Sequence, residues 1–492
     1  MDWRDEYNRK LMTAEEAAKL VQSGDVVAVG GSTDQPQALQ QAIFARRDEL
    51  RGVKVVQSFP VTDPGWLYPG APESFEVIII GFVGPLGRPV VAARQAEFVP
   101  NTWVTSAKAL ERSPEKDFDV FLMTLSPPNQ HGFCSLGPML WIKRSWMRRA
   151  KTIIAEVDRN IRWIYGNTTV HVSEVDHFVE HTSEAMSDTA VAVAVKDLEP
   201  EKQQRIKLYT SMLLPTTRTT VFKLFSVLDV ATIDTLAEKI GLKLSEADEK
   251  VVKAIAGHLS LLINSGDCFQ IGYGARSNFL YQFGAFEGKE DLGYHGEMAA
   301  RGVATMIREG QITGRHKTLM PGKAVLSAAE GLLPEELEFV VENPQVEFYD
   351  TTWVTRPEVI AQNDNMVSIQ NGISVDLTGQ INAETIFGGQ LVYGPGGEPE
   401  SQLGAILSKG GRSIIMLPSS AVGGTVSTIV SQFEPGIVVT IPRCYADYIV
   451  TEYGIASLMG KSLRQRAEAL IAIAHPDFRA KLRKEAQKLF YQ

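Results

Sequence analysis

The sequence predicts an α/β protein made of two tandem open α/β/α domains with mostly parallel sheets, and three observations carry that expectation. A chain of 492 residues exceeds one ordinary domain. Short apolar runs alternate with helical or loop segments through both halves, the rhythm of parallel strands covered on both faces. One local pattern also occurs twice. Ser23-Gly24-Asp25 leads into the apolar run Val26–Val29 and then Gly30-Gly31-Ser32, while Ser265-Gly266-Asp267 leads into Cys268–Ile271 and then Gly272-Tyr273-Gly274. Each copy follows a helical segment, which points to two units of common design.

Taken in order, residues 13–22 are expected to form a helix, with Thr13 as N-cap and Glu16 at the capping-box position. After Val26–Val29, further strands are expected at 53–58, 77–81, 120–125 and 153–157, completing a first domain over residues 1–195. Two loops follow strands in this half, 58–65 and 126–132; the second reads equally as a ligand loop and as a rigid proline turn. His171, His177 and His181, with Glu174 and Glu180, match no established zinc spacing, so structural histidines and no metal site are expected. Residues 196–250 are charged, then Thr-rich, then charged again, and read as a connection helical at 233–242, with a helix from 246 to 262 beyond it. A second domain, 251–492, repeats the rhythm with strands expected at 345–348, 365–369, 413–417 and 437–440.

Bulk composition narrows the function. Apolar residues make up 44% and charged residues 22%, ordinary for a globular chain with buried cores. A net charge of −9 argues against a general nucleic-acid or anionic-membrane binder. The three cysteines, Cys134, Cys268 and Cys444, lie far apart, which fits a reducing compartment rather than a disulfide framework. The charged N-terminus lacks a secretory apolar core and no apolar run is long enough to span a bilayer, so a cytoplasmic protein is expected.

The chemistry centres on residues 265–302. A strand entering Gly272-Tyr273-Gly274 is a geometry that offers backbone N–H groups to a phosphate. Downstream, His295-Gly296-Glu297-Met298 places an acid among small and apolar neighbours. From the residues alone, Glu297 is either a solvated side chain or a carboxylate held for chemistry. These two segments, together with 360–369, Val375-Asp376-Leu377-Thr378-Gly379-Gln380, Asn382-Ala383-Glu384, Ser408-Lys409-Gly410-Gly411 and Thr451-Glu452-Tyr453-Gly454, resemble the acetyl-CoA hydrolase/CoA-transferase family. The blocks occur in the right order over nearly the whole chain except 196–250. Gly296 departs from the usual Ser or Thr.

The resemblance implies a CoA-transferase-like fold and a CoA-transferase that moves coenzyme A between an acyl-CoA and a carboxylic acid, with no tightly bound cofactor. It implies Glu297 as nucleophile and Gln370 as an oxyanion donor. Contacts to CoA are implied for Gly272, Tyr273, Gly274, Ala275 and Arg276, for the loop Gly394, Gly396 and Gly397, and for Lys409; Lys461 is a further candidate. A homodimer or larger assembly is likewise implied. An acyl-CoA hydrolase using the same Glu, or a non-catalytic acyl-CoA binder, remains an alternative. The chain departs from the family at Gln370 (usually Asn), Ser374 (usually Glu), Met459 (usually Arg) and the stretch Gly397-Glu398-Pro399-Glu400-Ser401. These changes cluster on the acyl side and point to a bulkier or less polar acyl group.

Overall fold

The computed structural model describes residues 2–67, 73–112 and 117–491. The first sheet has seven strands, all parallel: β1 (Val26–Val29), β2 (Val53–Gln57), β3 (Phe75–Ile80), β4 (Ala96–Val99), β5 (Phe118–Leu125), β6 (Ala150–Val157) and β7 (His177–Glu180). Their spatial order is β7-β6-β5-β1-β2-β3-β4. The second sheet has six strands: β8 (Cys268–Ile271), β9 (Gly293–Tyr294), β10 (Met366–Asn371), β11 (Arg412–Met416), β12 (Tyr448–Thr451) and β13 (Gly454–Ser457), in the order β9-β8-β10-β11-β12-β13. Only the β12–β13 pair is antiparallel. In each sheet the chain runs outward from one strand and then returns to build the other side, so the order reverses at β1/β5 and at β8/β10. Such reversals open a crevice at the carboxyl ends of the strands.

The repeated Ser-Gly-Asp pattern folds the same way twice. Ser23 Oγ accepts from the Arg51 N–H at 3.0 Å, the Gly24 N–H donates to the Arg51 carbonyl at 2.9 Å, and Asp25 Oδ2 accepts from the Gln22 N–H at 2.7 Å. In the second copy, Ser265 Oγ accepts from Glu290 N–H at 3.0 Å, Gly266 N–H donates to the Glu290 carbonyl at 2.9 Å, and Asp267 Oδ2 accepts from Asn264 N–H at 2.6 Å. Both glycines are left-handed, with φ +85° and +82°. The turn thus ties the entry of β1 to that of β2, and the entry of β8 to that of β9.

Most of the expected strands form near their expected bounds, β4, β7, β9, β12 and β13 were not expected, and three further differences stand out. The helix expected over 13–22 has its Thr13–Glu16 capping box but spans only Ala14–Ala18, and the Arg46 guanidinium takes up the Ala18 and Val21 carbonyls beyond it. Residues 346–348 form a strand, but in a separate small parallel sheet with Ala324–Leu326 and Tyr165–Gly166. No strand forms at 437–440: Pro435-Gly436 and Pro442 bracket it, leaving only a bridge between Ile381 and Ile441. Within 196–250, helices Pro200–Ser211, Pro215–Val227 and Val230–Lys239 close on a small core of Ile206, Tyr209, Phe225 and Ile233. The next helix spans Glu246–Ser260. No helix is long and apolar enough to cross a membrane among the described residues.

A Cβ at Gly24 would meet nothing within 4 Å and one at Gly266 only the His316 ring, so alanine at either site costs conformation rather than space. Gly24→Ala and Gly266→Ala are each expected to destabilise the protein by about 1 kcal/mol, by similar amounts, read as lowered urea midpoints.

Candidate functional site

The glycine turn after β8 and the end of β10 lie side by side because those strands pair in register, Ile271 against Ile369. Gly272 N–H donates to the Ile369 carbonyl at 2.7 Å, and the lack of a side chain at Gly272 makes room for the Gln370 amide. Asn371 Nδ2 donates to the Gly272 and Tyr273 carbonyls, and the Ser277 hydroxyl donates to the Gly272 and Gly274 carbonyls, so the turn is held from two sides.

Glu297 comes to this turn from the segment after β9. Its own carbonyl accepts from Ser327 and Ala328 N–H at 3.1 and 3.0 Å, which fixes the backbone. The neighbouring His295 ring is buried, its Nε2 bonded to the Val354 carbonyl at 2.9 Å, and burial pulls its pKa down to about 3. His295 is therefore neutral and structural. Gly296 has a local cause: a Cβ there would press on the Tyr294 ring and hydroxyl.

The Glu297 carboxyl is enclosed from the other side by a loop of the second half and a helix of the first. A Cβ at Gly397 would overlap Glu297 Oε2, and one at Gly394 would overlap the Gly81 carbonyl just past β3. The Gly396 N–H donates to that Gly81 carbonyl, and the Gly396 carbonyl accepts from Trp103 N–H, both at 3.2 Å. Trp103 opens the helix Trp103–Arg112, and Glu400 accepts from the Thr102 hydroxyl and from Val104 N–H at that helix's N-terminus. Burial raises the Glu297 pKa; the Trp103 indole N–H opposes it, the nearby Glu400 charge adds to it, and the Gly397 N–H opposes it. The outcome is about 7. Glu400 is likewise raised to about 7, chiefly by burial. Glu398, whose Oε1 is buried without a partner, is raised well above the carboxylate range by burial and by Glu384.

A cavity of ≈ 390 Å³ opens over this carboxyl. Of the residues singled out in the sequence, Glu297, Gln370, Gly272, Tyr273, Gly274, Ala275, Arg276, Gly394, Gly396 and Gly397 all line it. The structure does not bring Lys409 there: it is 87% exposed and faces Asp364 at 3.3 Å. Lys461 is also exposed and outside the lining. The 126–132 loop closes on itself, with Asn129 Oδ1 accepting from His131 and Phe133 N–H, away from the cavity. His171 and His181 take separate partners, Ser173 and Glu156.

Among the cavity residues not read from the sequence, one is charged and basic. Arg88, from the helix Gly84–Ala92 after β3, lies over the Tyr393 ring at 4.4 Å with its Nε buried and unpartnered. Arg276 is already paired with Asp248 at 2.8 Å. The only signal for Arg88 was its place just beyond the carboxyl end of a strand.

Two mostly parallel sheets whose strand-order reversals meet at one half-buried carboxyl define the class: an α/β protein with a cavity at the carboxyl ends of its strands. The comparisons then place it. Residues 1–188 match the acetyl-CoA hydrolase/transferase N-terminal domain, and 335–486 the corresponding C-terminal domain. The chain is 32% identical over 490 residues to the 4-hydroxybutyrate coenzyme A transferase of Clostridium kluyveri, covering 100% of each chain. It is 30% identical to the succinyl-CoA:cyclohexane-1-carboxylate CoA transferase of Geobacter metallireducens, covering 99% of this chain and 97% of that one. Among solved structures, RipA from Yersinia pestis superposes with a TM-score of 0.79 at 28% identity, over 100% of both chains. The chain belongs to the acetyl-CoA hydrolase/transferase family.

With a pKa near 7, Glu297 is protonated below and ionised above neutrality. Labelling by a water-soluble carbodiimide, which consumes the protonated carboxyl, is expected to fall with a midpoint near pH 7. Glu400→Gln removes a repelling charge and moves that midpoint to lower pH. A wild-type midpoint at the ordinary carboxylate value refutes the assignment.

Proposed function

We propose that this protein is a CoA-transferase working by ping-pong exchange through Glu297. The supporting observation is the Glu297 carboxyl in a cavity that the two glycine loops and Gln370 also line, with Gly397 packed against its Oε2. One Glu297 oxygen attacks the acyl-CoA carbonyl and the CoA thiolate leaves, giving a mixed anhydride. The thiolate then attacks the glutamyl carbonyl and expels the acyl carboxylate, giving a glutamyl-CoA thioester. An incoming carboxylate reverses both steps. No proton is gained or lost overall. Gln370 and the N–H groups of the 394–397 loop are the proposed oxyanion donors. Arg88 supplies positive charge at the cavity for the anionic CoA, a role the sequence-based reading gave to Lys409. The close approach of the 394–397 loop and Trp103 to the half-buried carboxyl limits water at the thioester, which favours transfer over hydrolysis.

Incubation with an acyl-CoA in the absence of an acceptor acid is expected to yield a CoA thioester on the peptide bearing Glu297, detected by mass spectrometry and absent in Glu297→Ala. An adduct elsewhere, with Glu297→Ala fully active, rejects the mechanism. Gln370→Ala is expected to raise the barrier by about 2.7–4 kcal/mol; an unchanged turnover number removes Gln370 from the donor role.

A further inference from the structure

A second, smaller compartment adjoins the cavity at Glu297, and Arg88 is not among its lining residues. It lies against the carboxyl ends of β1, β2 and β3, where Ser32, Ser58 and Phe82 sit. Glu297, Met298, Phe82 and Tyr273 belong to both spaces, so the carboxyl stands at the doorway between them. Its walls are aromatic: Phe59, Phe82, Trp103, Trp141, Trp146 and Tyr273. These rings support one another, with Phe59 edge-on to Phe82 at 5.3 Å and Trp103 against Trp141 at 5.7 Å.

The polar groups there are few. The Ser32 hydroxyl is committed to Glu330, whose other oxygen accepts from Trp141 Nε1 at 3.1 Å. Ser58 is 4% exposed and its hydroxyl has no partner. No Lys or Arg is among the described lining residues, and Glu330, bonded to Ser32 and Trp141, is a carboxyl that burial pushes up to about 8. A carboxylate placed there has no counter-ion and faces a carboxyl, whereas an alkyl chain meets rings and a single hydroxyl or keto oxygen has Ser58.

Size sets a second limit. The compartment measures ≈ 40 Å³. At about 10–15 Å³ for each water-sized position, that is room for about three non-hydrogen atoms. With the reacting carbonyl at Glu297, the acyl chain continues inward by about three atoms.

Resting on the glutamyl-thioester reading above, we infer that this compartment receives the acyl tail, and that the enzyme takes short monocarboxylic acyl groups of roughly butyryl size and rejects dicarboxylic ones. Donor and acceptor occupy the compartment in turn, so the same limits hold for the acceptor acid. The two spaces also orient the thioester: the anionic CoA leg lies toward Arg88 and the uncharged tail lies among the rings.

The test uses the full-length protein and measures the rate of glutamyl-CoA formation with acetyl-, butyryl-, octanoyl- and succinyl-CoA. Butyryl-CoA is expected to load on the order of 100-fold faster than succinyl- or octanoyl-CoA, and about tenfold faster than acetyl-CoA. Ile142→Ala and Phe59→Leu, both in the wall, are expected to move the optimum toward longer chains. Succinyl-CoA loading as fast as butyryl-CoA overturns the inference while leaving the glutamyl mechanism standing, and so does an unchanged chain-length profile in both folded variants. No thioester with any of the four overturns that mechanism and this inference with it.

Discussion

The approach of the 394–397 loop to both halves of the molecule is the constraint on which the site depends. Gly394 lies on the Gly81 carbonyl and Gly397 on the Glu297 carboxyl, and at neither position is there room for a Cβ. The backbone of one loop therefore spans the distance between the first sheet and Glu297. Its Gly396 closes hydrogen bonds to Gly81 and Trp103 on the way. A bulkier loop would hold the halves apart and let water reach Glu297. Glycine at these positions is what makes the cleft narrow, and narrowness is what raises the carboxyl's pKa.

The same contact carries charge as well as shape. Glu400, on the helix Glu398–Leu407 that starts where the loop ends, reaches across to cap the helix Trp103–Arg112. It thereby brings a second carboxyl close enough to Glu297 to raise its pKa, while Trp103 and the Gly397 N–H pull the other way. The two bonds of Glu400 to this helix thus bear on both the approach of the halves and the protonation of Glu297. Glu398, buried and without a partner for one oxygen, lies farther along the cavity on the side of Glu384.

What the sequence reveals follows the range of the forces involved. The Ser-Gly-Asp turns, the strands leaving them and the Thr13 capping box are local, each closed by side chains a few residues away or by the next strand, so they are legible. Glu297, Gln370 and the two glycine loops stand out because their residue types are unusual where they occur and because the order of blocks resembles one family. The aromatic compartment is not legible. Phe59, Phe82, Trp103 and Trp141 are spread through the first half with no common spacing, and only the facing of two sheet edges collects them. Arg88 is hidden for the same reason. Lys409 shows the converse: a cation in a well-matched block, yet on the surface beside Asp364. The expected strand at 437–440 fails because apolarity alone does not supply a partner strand.

Under the proposed mechanism, a half-buried nucleophile with no cation bonded to it raises the question of how it stays reactive, and the charge count across the proposed reaction answers it. Before the first transfer, the cavity holds one carboxylate, Glu297, and an uncharged acyl thioester. After it, Glu297 is an uncharged thioester, and the released acid or its successor is the carboxylate. One negative charge is present at the reacting centre in either state, so the surroundings need to tolerate one carboxylate and no more. A fixed lysine or arginine beside Glu297 would stabilise the resting carboxylate most and slow its attack. The proposed donors at the glycine loops and Gln370 would instead act where charge develops on the carbonyl oxygen. A second carboxylate on the acyl tail breaks the count, because the described lining of the compartment at Glu297 is rings and hydroxyls with no Lys or Arg to receive it.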